Sequence, residues 1–484
     1  MPRQPRRHAD SQAAGDGRAV TSVGSARRPR THGLVRACGW CTTLVSVATC
    51  VASLGLARFP VIDGWPAALR SVVFGPLSVL ALIGPVGVLW WASRHSDLVR
   101  EADVVWCWRV AIANAGVRLL TMPVIADLWL YVLIGREFVS GRNPYYAHPP
   151  VDVSLAYSVD PDGPFMTYGP LWAWLSNGLT RVAGPSPVVE AIAFKVLAFA
   201  AWWAAFWAVR ELTRRSMPAQ QLRAVVLTGW LPVMLHQAIG EGHNDGLVAA
   251  GIALWLYLRA RESAWSGAPV AFATLVKYNT LPLLGLALAD AVRRRRWREA
   301  VTTTLCSVVA ASTALPLYEG RAMFAGLRQQ AAIAPLLSMS AAVHALVVGG
   351  AHLSVGVSDA VIWMLRAAVA AGALIDVRRH LQRPDHEALC RAALALTTSV
   401  VLVWPVVAPW YFVWLAPLLA LTSSSWAGAL MLPPTLLVPL AEVAFLDGPL
   451  RRFLSYAAVL AYGAGLARLV ITQWHARRPE WARS

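Results

Sequence analysis

The stretch RARESAWSGAPVAFATLVKYNTLPLLGLALADAVRRRRWR, residues 259–298, decides the fold class. Its middle, 266–292, is mostly apolar. Arginines close it at both ends: Arg259 and Arg261 before it, and Arg293, Arg294, Arg295, Arg296 and Arg298 after it. Basic residues beside apolar stretches mark the cytoplasmic side of a membrane. A single crossing would put one of the two clusters on the wrong side. A helical hairpin broken around Lys277-Tyr278-Asn279-Thr280-Leu281-Pro282 keeps both together, and the hairpin is the expected form.

The rest of the chain repeats this pattern. Of its 484 residues 57% are hydrophobic and only 14% charged, against about 25% charged in soluble domains. Mean hydropathy is +0.50, and the 23 tryptophans suit interfacial belts. Candidate spans are 37–57, 71–92, 106–126, 188–209, 222–240, 246–260, 300–317, 357–377, 389–404, 410–422, 426–442 and 453–472, several of them shorter than the about 20 residues of a full crossing. The expected fold is an all-α, polytopic transmembrane bundle of about 12 spans plus the hairpin, with external loops carrying short interfacial helices.

The net charge of +17 is no nucleic-acid footprint, because the arginines sit in short clusters between apolar stretches. The implied partner is membrane lipid, and no nucleic acid. Residues 1–33 read as a disordered basic tail, 34–475 as the membrane domain and 476–484 as a second tail. The stretch Leu34 to Ala57 is long for a signal-peptide core and lacks a clear cleavage site. The tail, the 210–223 linker, the 259–265 and 293–298 clusters, the 378–391 linker and Arg477 and Arg478 fall on one side. That side is the cytoplasm, with both termini on it. Arg451 and Arg452 are the exception, with Glu442 and Asp447 nearby.

The opposite side carries two long connections, 127–187 and 318–356. Loops of that length are usually functional or disordered. In the first, Trp172, Trp174, Leu175 and Leu179 form an amphipathic pattern expected to lie in the interface plane. The six cysteines lie in or beside apolar segments. Cys38 and Cys41 have metal-like spacing but no second pair, so they read as packing residues.

Chemistry-bearing residues gather on the outer side. Asp127 comes at the outward end of the third span, where a carboxylate is either solvated by headgroups or acts as a general base facing an external pocket. Gly141-Arg142-Asn143-Pro144-Tyr145 reads as a Pro-fixed turn. Tyr168-Gly169-Pro170 is a sharp turn whose aromatic neighbours suit a sugar ring. Glu241, His243, Asn244 and Asp245 form a turn that is either plainly polar or a hydrogen-bonding set for sugar hydroxyls. Lys195 and Lys277 are the only lysines, both inside apolar segments. A phosphate is one partner for such cations, with Arg118 and Arg328 joining; an intramembrane salt bridge is the other. Pro409-Trp410-Tyr411 marks an aromatic outer kink.

In this order the motifs resemble the GT-C type glycosyltransferases, in particular actinobacterial mannosyltransferases that use polyprenyl-phosphate mannose. The resemblance rests on Asp127, the 141–145 turn, Tyr168 to Leu171, Gly242 to Gly246, Lys277 to Pro282 and Pro409 to Tyr411, over roughly residues 100–420. It implies Asp127 as the base, although Leu128 follows where the family often has a second acid. It also implies a polyprenyl-phosphate sugar donor, a glycan or glycolipid acceptor, inversion at the anomeric carbon, no metal and no cofactor. Lys277, Arg328, Lys195 and Arg118 would meet the donor phosphate. Tyr168, Glu241, His243, Asn244, Asp245, Trp410 and Tyr411 would meet sugar or acceptor. The rival class is a secondary transporter or flippase of a lipid-linked sugar, which also uses broken helices, although no internal repeat is visible.

Overall fold

The computed structural model describes residues 29–57, 67–95, 98–123, 127–146, 166–326, 328, 338–404, 407–422, 425–437 and 459–471. Among these residues every regular element is a helix. In chain order they are α1 (Pro29–Ala57), α2 (Ala67–Arg94), α3 (Glu101–Leu119), α4 (Asp127–Val139), α5 (Pro170–Ala183), α6 (Pro187–Ser216) and α7 (Gln221–Gly229). A π-helical turn, Val233–Gly240, follows α7. Next come α8 (Asp245–Ala260), α9 (Ala268–Val276), α10 (Leu281–Arg293), α11 (Trp297–Ser312), α12 (Met339–His344), α13 (Val355–Gln382), α14 (His386–Val403), α15 (Leu415–Leu421) and α16 (Trp426–Leu437). The last is α17 (Val459–Ile471).

Five helical segments among the described residues are long and apolar enough to cross a membrane: Gly33–Leu54, Pro187–Ser216, Trp297–Leu317, Val355–Gln382 and His386–Val403. A sixth arises if Pro218–Gly229 and Val233–Gly240, bent by 42° at Trp230-Leu231-Pro232, count as one. The chain is a membrane protein. The outer faces of α11 and α13 leave Val301, Leu305, Val308, Trp363, Met364 and Leu374 exposed, the pattern of side chains facing lipid instead of a packed core. Within the expected spans 410–422 and 426–442, the described residues form the apolar helices Pro409–Leu421 and Trp426–Leu437, each shorter than those five.

Two expectations need correcting. The third span was expected to end at Asp127, but α3 stops at Leu119 and Asp127 opens a separate helix, α4. An acidic residue complements the positive end of a helix it begins, which favours the second arrangement. Helix α1 begins at Pro29, inside the expected 1–33 tail. The rest of that tail, the 476–484 tail, and Glu442, Asp447, Arg451 and Arg452 lie outside the described residues.

The break in 266–292 falls at the expected place. Helix α9 ends at Val276, Lys277 is extended, and Tyr278–Thr280 makes a 3-10 turn into α10. The two ends of the segment meet again. The Ser266 hydroxyl donates to Glu299, and Arg294 Nη2 donates to the same carboxylate at 3.2 Å. Nearby, Asp290 Oδ2 accepts from Arg259 Nε at 2.6 Å and Arg294 Nη2 at 2.8 Å, and His380 Nε2 lies 2.9 Å from its Oδ1. The segment therefore turns back on itself.

Two apolar cores organise the bundle. The larger joins α1, α2, α3, α6, α7, α8 and α14 to α16 around Trp202, Trp230, Trp255 and Trp414. Its indoles also serve the backbone: Trp202 Nε1 donates to Thr228 O at 3.0 Å and Trp230 Nε1 to Cys107 O at 2.8 Å. The smaller core packs α4 and α5 against the start of α6 and the end of α9, through Leu128, Tyr131, Trp172, Phe194 and Val276. Helix α5 carries the expected amphipathic pattern, burying Trp172 and Ser176 and exposing Trp174. Arg136 Nε ties α4 to the buried Glu190 of α6 at 2.9 Å.

Candidate active site

The site forms where the two cores meet. Three chain breaks converge there: the start of α4, the 241–244 turn before α8, and the Lys277 break. Gly242 makes the turn possible, with φ +69°, and a Cβ there would stand 2.5 Å from Leu128 Cδ1. Gly169 has a different reason: its N–H donates to Val276 O at 2.9 Å, and a Cβ would fall 2.1 Å from Leu275 O. Only a residue without a side chain lets Tyr168 reach the Lys277 break.

Asp127 presents a side chain that is 20% exposed. Its Oδ2 accepts from the Tyr168 hydroxyl at 3.3 Å and lies 3.3 Å from His243 Nδ1. Its Oδ1 has no partner among the described residues. Burial works against ionising this carboxyl, but His243, Lys277 and the Tyr168 hydroxyl outweigh burial and hold it below the usual carboxylate range. The His243 ring stacks on Trp410, with centroids 4.2 Å apart and 18° between planes.

Beside it, Lys277 Nζ donates to both oxygens of Asp245, at 2.8 and 2.7 Å. Both residues are buried. The same ammonium faces three rings, at 5.5 Å from Tyr168, 4.9 Å from Tyr411 and 5.5 Å from Trp414. Tyr168 belongs to the smaller core and the other two to the larger. The cation thus pins the seam between them.

Of the residues singled out from sequence, the structure brings together Asp127, Tyr168, His243, Asp245, Lys277, Trp410 and Tyr411. Asn244 adjoins them, its backbone N–H 3.5 Å from the Tyr131 hydroxyl. Glu241 is buried, 3.7 Å from His236 Nε2. Lys195 stands behind the turn, its Cγ 3.4 Å from where a Gly242 Cβ would be. It donates to Arg118 O at 3.1 Å and to Thr121 O, two carbonyls at the end of α3. The Arg118 side chain is buried on the same helix. Arg328 is exposed.

The sequence reading missed Tyr131, whose ring meets Tyr168 and Trp172 edge-on, and Trp414. It also missed Gln237. That side chain is fully buried in the π-helical turn, and neither amide atom has a hydrogen-bond partner among the described residues. The same holds for Asn244. Buried amides without partners are uncommon and mark places where water or ligand belongs. A glutamine next to His236 in an otherwise apolar span was the available signal.

A family model described as alpha-(1->6)-mannopyranosyltransferase, N-terminal domain, matches residues 36–293. That range contains Asp127, Tyr168, the 241–245 turn and Lys277. The chain is 26% identical over 356 residues to alpha-(1->6)-mannopyranosyltransferase B of Corynebacterium glutamicum, over 64% of this chain and 57% of that protein. It is 26% identical over 177 residues to alpha-(1->6)-mannopyranosyltransferase A of the same organism, over 35% of this chain and 36% of that protein. The chain therefore spans little more than half the length of the first of these curated relatives and about a third of the second.

Proposed function

The chain belongs to the alpha-(1->6)-mannopyranosyltransferase family, and we propose that it transfers mannose from a polyprenyl-phosphate donor to a glycan or glycolipid acceptor. The observation that carries this reading is Asp127: a partly exposed carboxylate, one oxygen held by Tyr168 and His243, the other without a partner among the described residues. Asp127 takes the proton of the acceptor hydroxyl as that oxygen attacks the anomeric carbon. The bond from the anomeric carbon to the phosphate oxygen breaks, its electron pair leaves with polyprenyl phosphate, and configuration inverts.

Lys277 faces the leaving group. Its ammonium has three donors, two of them on Asp245, and the third serves a phosphate oxygen. Arg328 is the second cation assigned to that phosphate; Lys195 and Arg118 add positive charge from one layer deeper. Trp410, Tyr411 and Tyr168 offer rings for a sugar to stack on. Glu241, His243, Asn244 and Asp245 supply hydrogen bonds to sugar or acceptor.

The apolar segments support about 12 spans, and the arginine distribution supports both termini in the cytoplasm and the site on the outer face of the plasma membrane. The test is transfer by purified protein in detergent. Radiolabelled polyprenyl-phosphate mannose should pass its sugar to acceptor with no sealed vesicle present. Sugar movement seen only across an intact membrane, without transfer, would install the transporter reading instead.

A further inference from the structure

A second site lies away from this chemistry. A cavity of about 400 Å³ opens between α2, the start of α7, α16 and α17. Its walls are apolar: Leu89 and Trp90 of α2, Leu222 of α7, Leu432 and Leu436 of α16. Two arginines, Arg223 and Arg468, line it as well, and no Asp or Glu does among the described residues. Arg223 is half-buried and donates from Nη2 to Leu419 O at 3.0 Å. The rest of its five-donor fork has no partner among the described residues. Gln220, also lining the cavity, has a buried Oε1 with no hydrogen-bond partner among the described residues.

We propose that this cavity holds the headgroup of an anionic phospholipid that carries a free hydroxyl, such as phosphatidylglycerol. A half-buried guanidinium with open donors calls for an anion, and a phosphate matches its fork geometry. The apolar walls suit the first segments of the acyl chains, and the volume excludes the whole lipid. Gln220 Oε1 needs a donor, which a headgroup hydroxyl provides and choline does not. The cavity is not the donor site. Arg223 and Glu241 stand at opposite ends of the bent α7 and π-helical segment, roughly 25 Å apart at helical rise. The inference is independent of which sugar the outer site transfers.

The test is native mass spectrometry of the full chain released from nanodiscs of equal phosphatidylglycerol and phosphatidylcholine. A single phosphatidylglycerol should stay with each wild-type chain. Retention should fall by roughly tenfold in Arg223→Gln, the worth of one charge-assisted hydrogen bond. Leu436→Trp, which fills the cavity and keeps both arginines, should lose it too, so a folding defect in the first variant does not decide the matter. Arg298→Gln, an exposed arginine elsewhere, should retain lipid normally. Equal retention of the two lipids would overturn the proposal by showing no headgroup preference, and equal loss in Arg298→Gln would overturn it in favour of general attraction to an anionic surface. Displacement by added polyprenyl phosphate would assign the cavity to the carrier and overturn it as well. Phosphatidylethanol held as well as phosphatidylglycerol would overturn the hydroxyl contact.

Discussion

Asp127 and Asp290 are both carboxylates near the end of a short helix in an apolar bundle, and their surroundings differ in one respect. Asp290 is fully buried and saturated: guanidiniums from α8 and from the turn after α10, and an imidazole from α13, lie within 2.9 Å of it. Asp127 is partly exposed, and its two contacts are both 3.3 Å long. A saturated carboxylate has no lone pair left for a proton and holds helices together. An under-coordinated one is poised to accept. The contrast gives the Asp290 network a structural place and supports the role proposed for Asp127.

The contrast breaks most visibly on stability. Asp290→Asn leaves the buried Arg259 without its carboxylate, while Arg294 keeps Glu299, and removing one partner of a buried pair costs about 3–5 kcal/mol. Thermal unfolding in detergent should show a large fall in midpoint for this variant. Asp127→Asn, whose carboxylate makes two long contacts, should unfold near the wild-type temperature. Equal losses in the two variants would erase the distinction.

Lys277 sharpens it, because its ion pair with Asp245 lies between the two cases. Lys277→Met strands the Asp245 carboxylate and should destabilise. Adding Asp245→Asn removes the stranded charge and should restore stability. If the ammonium also holds the donor phosphate, donor KM should stay raised in the double variant by roughly tenfold or more, the worth of a hydrogen bond to a charged group. Recovery of donor KM together with stability would make Lys277 structural only.

A smaller effect concerns pH. The acidic limb of transfer should lie below the ordinary carboxylate range, since the neighbours of Asp127 hold its carboxyl down. His243→Gln removes one of the groups that lower it while the opposing burial remains, so the limb should move to higher pH. The measurement is kcat/KM against pH for both proteins. An unmoved limb would detach His243 from the base.

Much of this was legible in the sequence because it was local. The arginine clusters around 266–292 required a reversal, and the break fell at Lys277, where a polar run interrupts apolar residues just before Pro282. The amphipathic pattern of 172–179 gave α5. What pairs with what was not legible. Lys277 and Asp245 are 32 residues apart, and the sequence left the lysine's partner open between a phosphate and a salt bridge. Lys195 bonds carbonyls at the end of α3, and backbone acceptors leave no mark in composition. The placement of Asp127 went astray for a related reason: hydropathy runs through 120–126 unbroken, whereas the helix ends at Leu119.

The central claim is that Asp127 is the base, with Asp245 its nearest rival. Single-turnover transfer at saturating donor and acceptor separates them, using Asp127→Asn and Asp245→Asn. General-base catalysis contributes about 10²–10⁴-fold in rate, so Asp127→Asn should lose that much in the chemical step while keeping its fold and its donor binding. Asp245→Asn should impair binding more than this step. Near-normal turnover in Asp127→Asn, with collapse in Asp245→Asn, would contradict the account and move the base to the 243–245 turn.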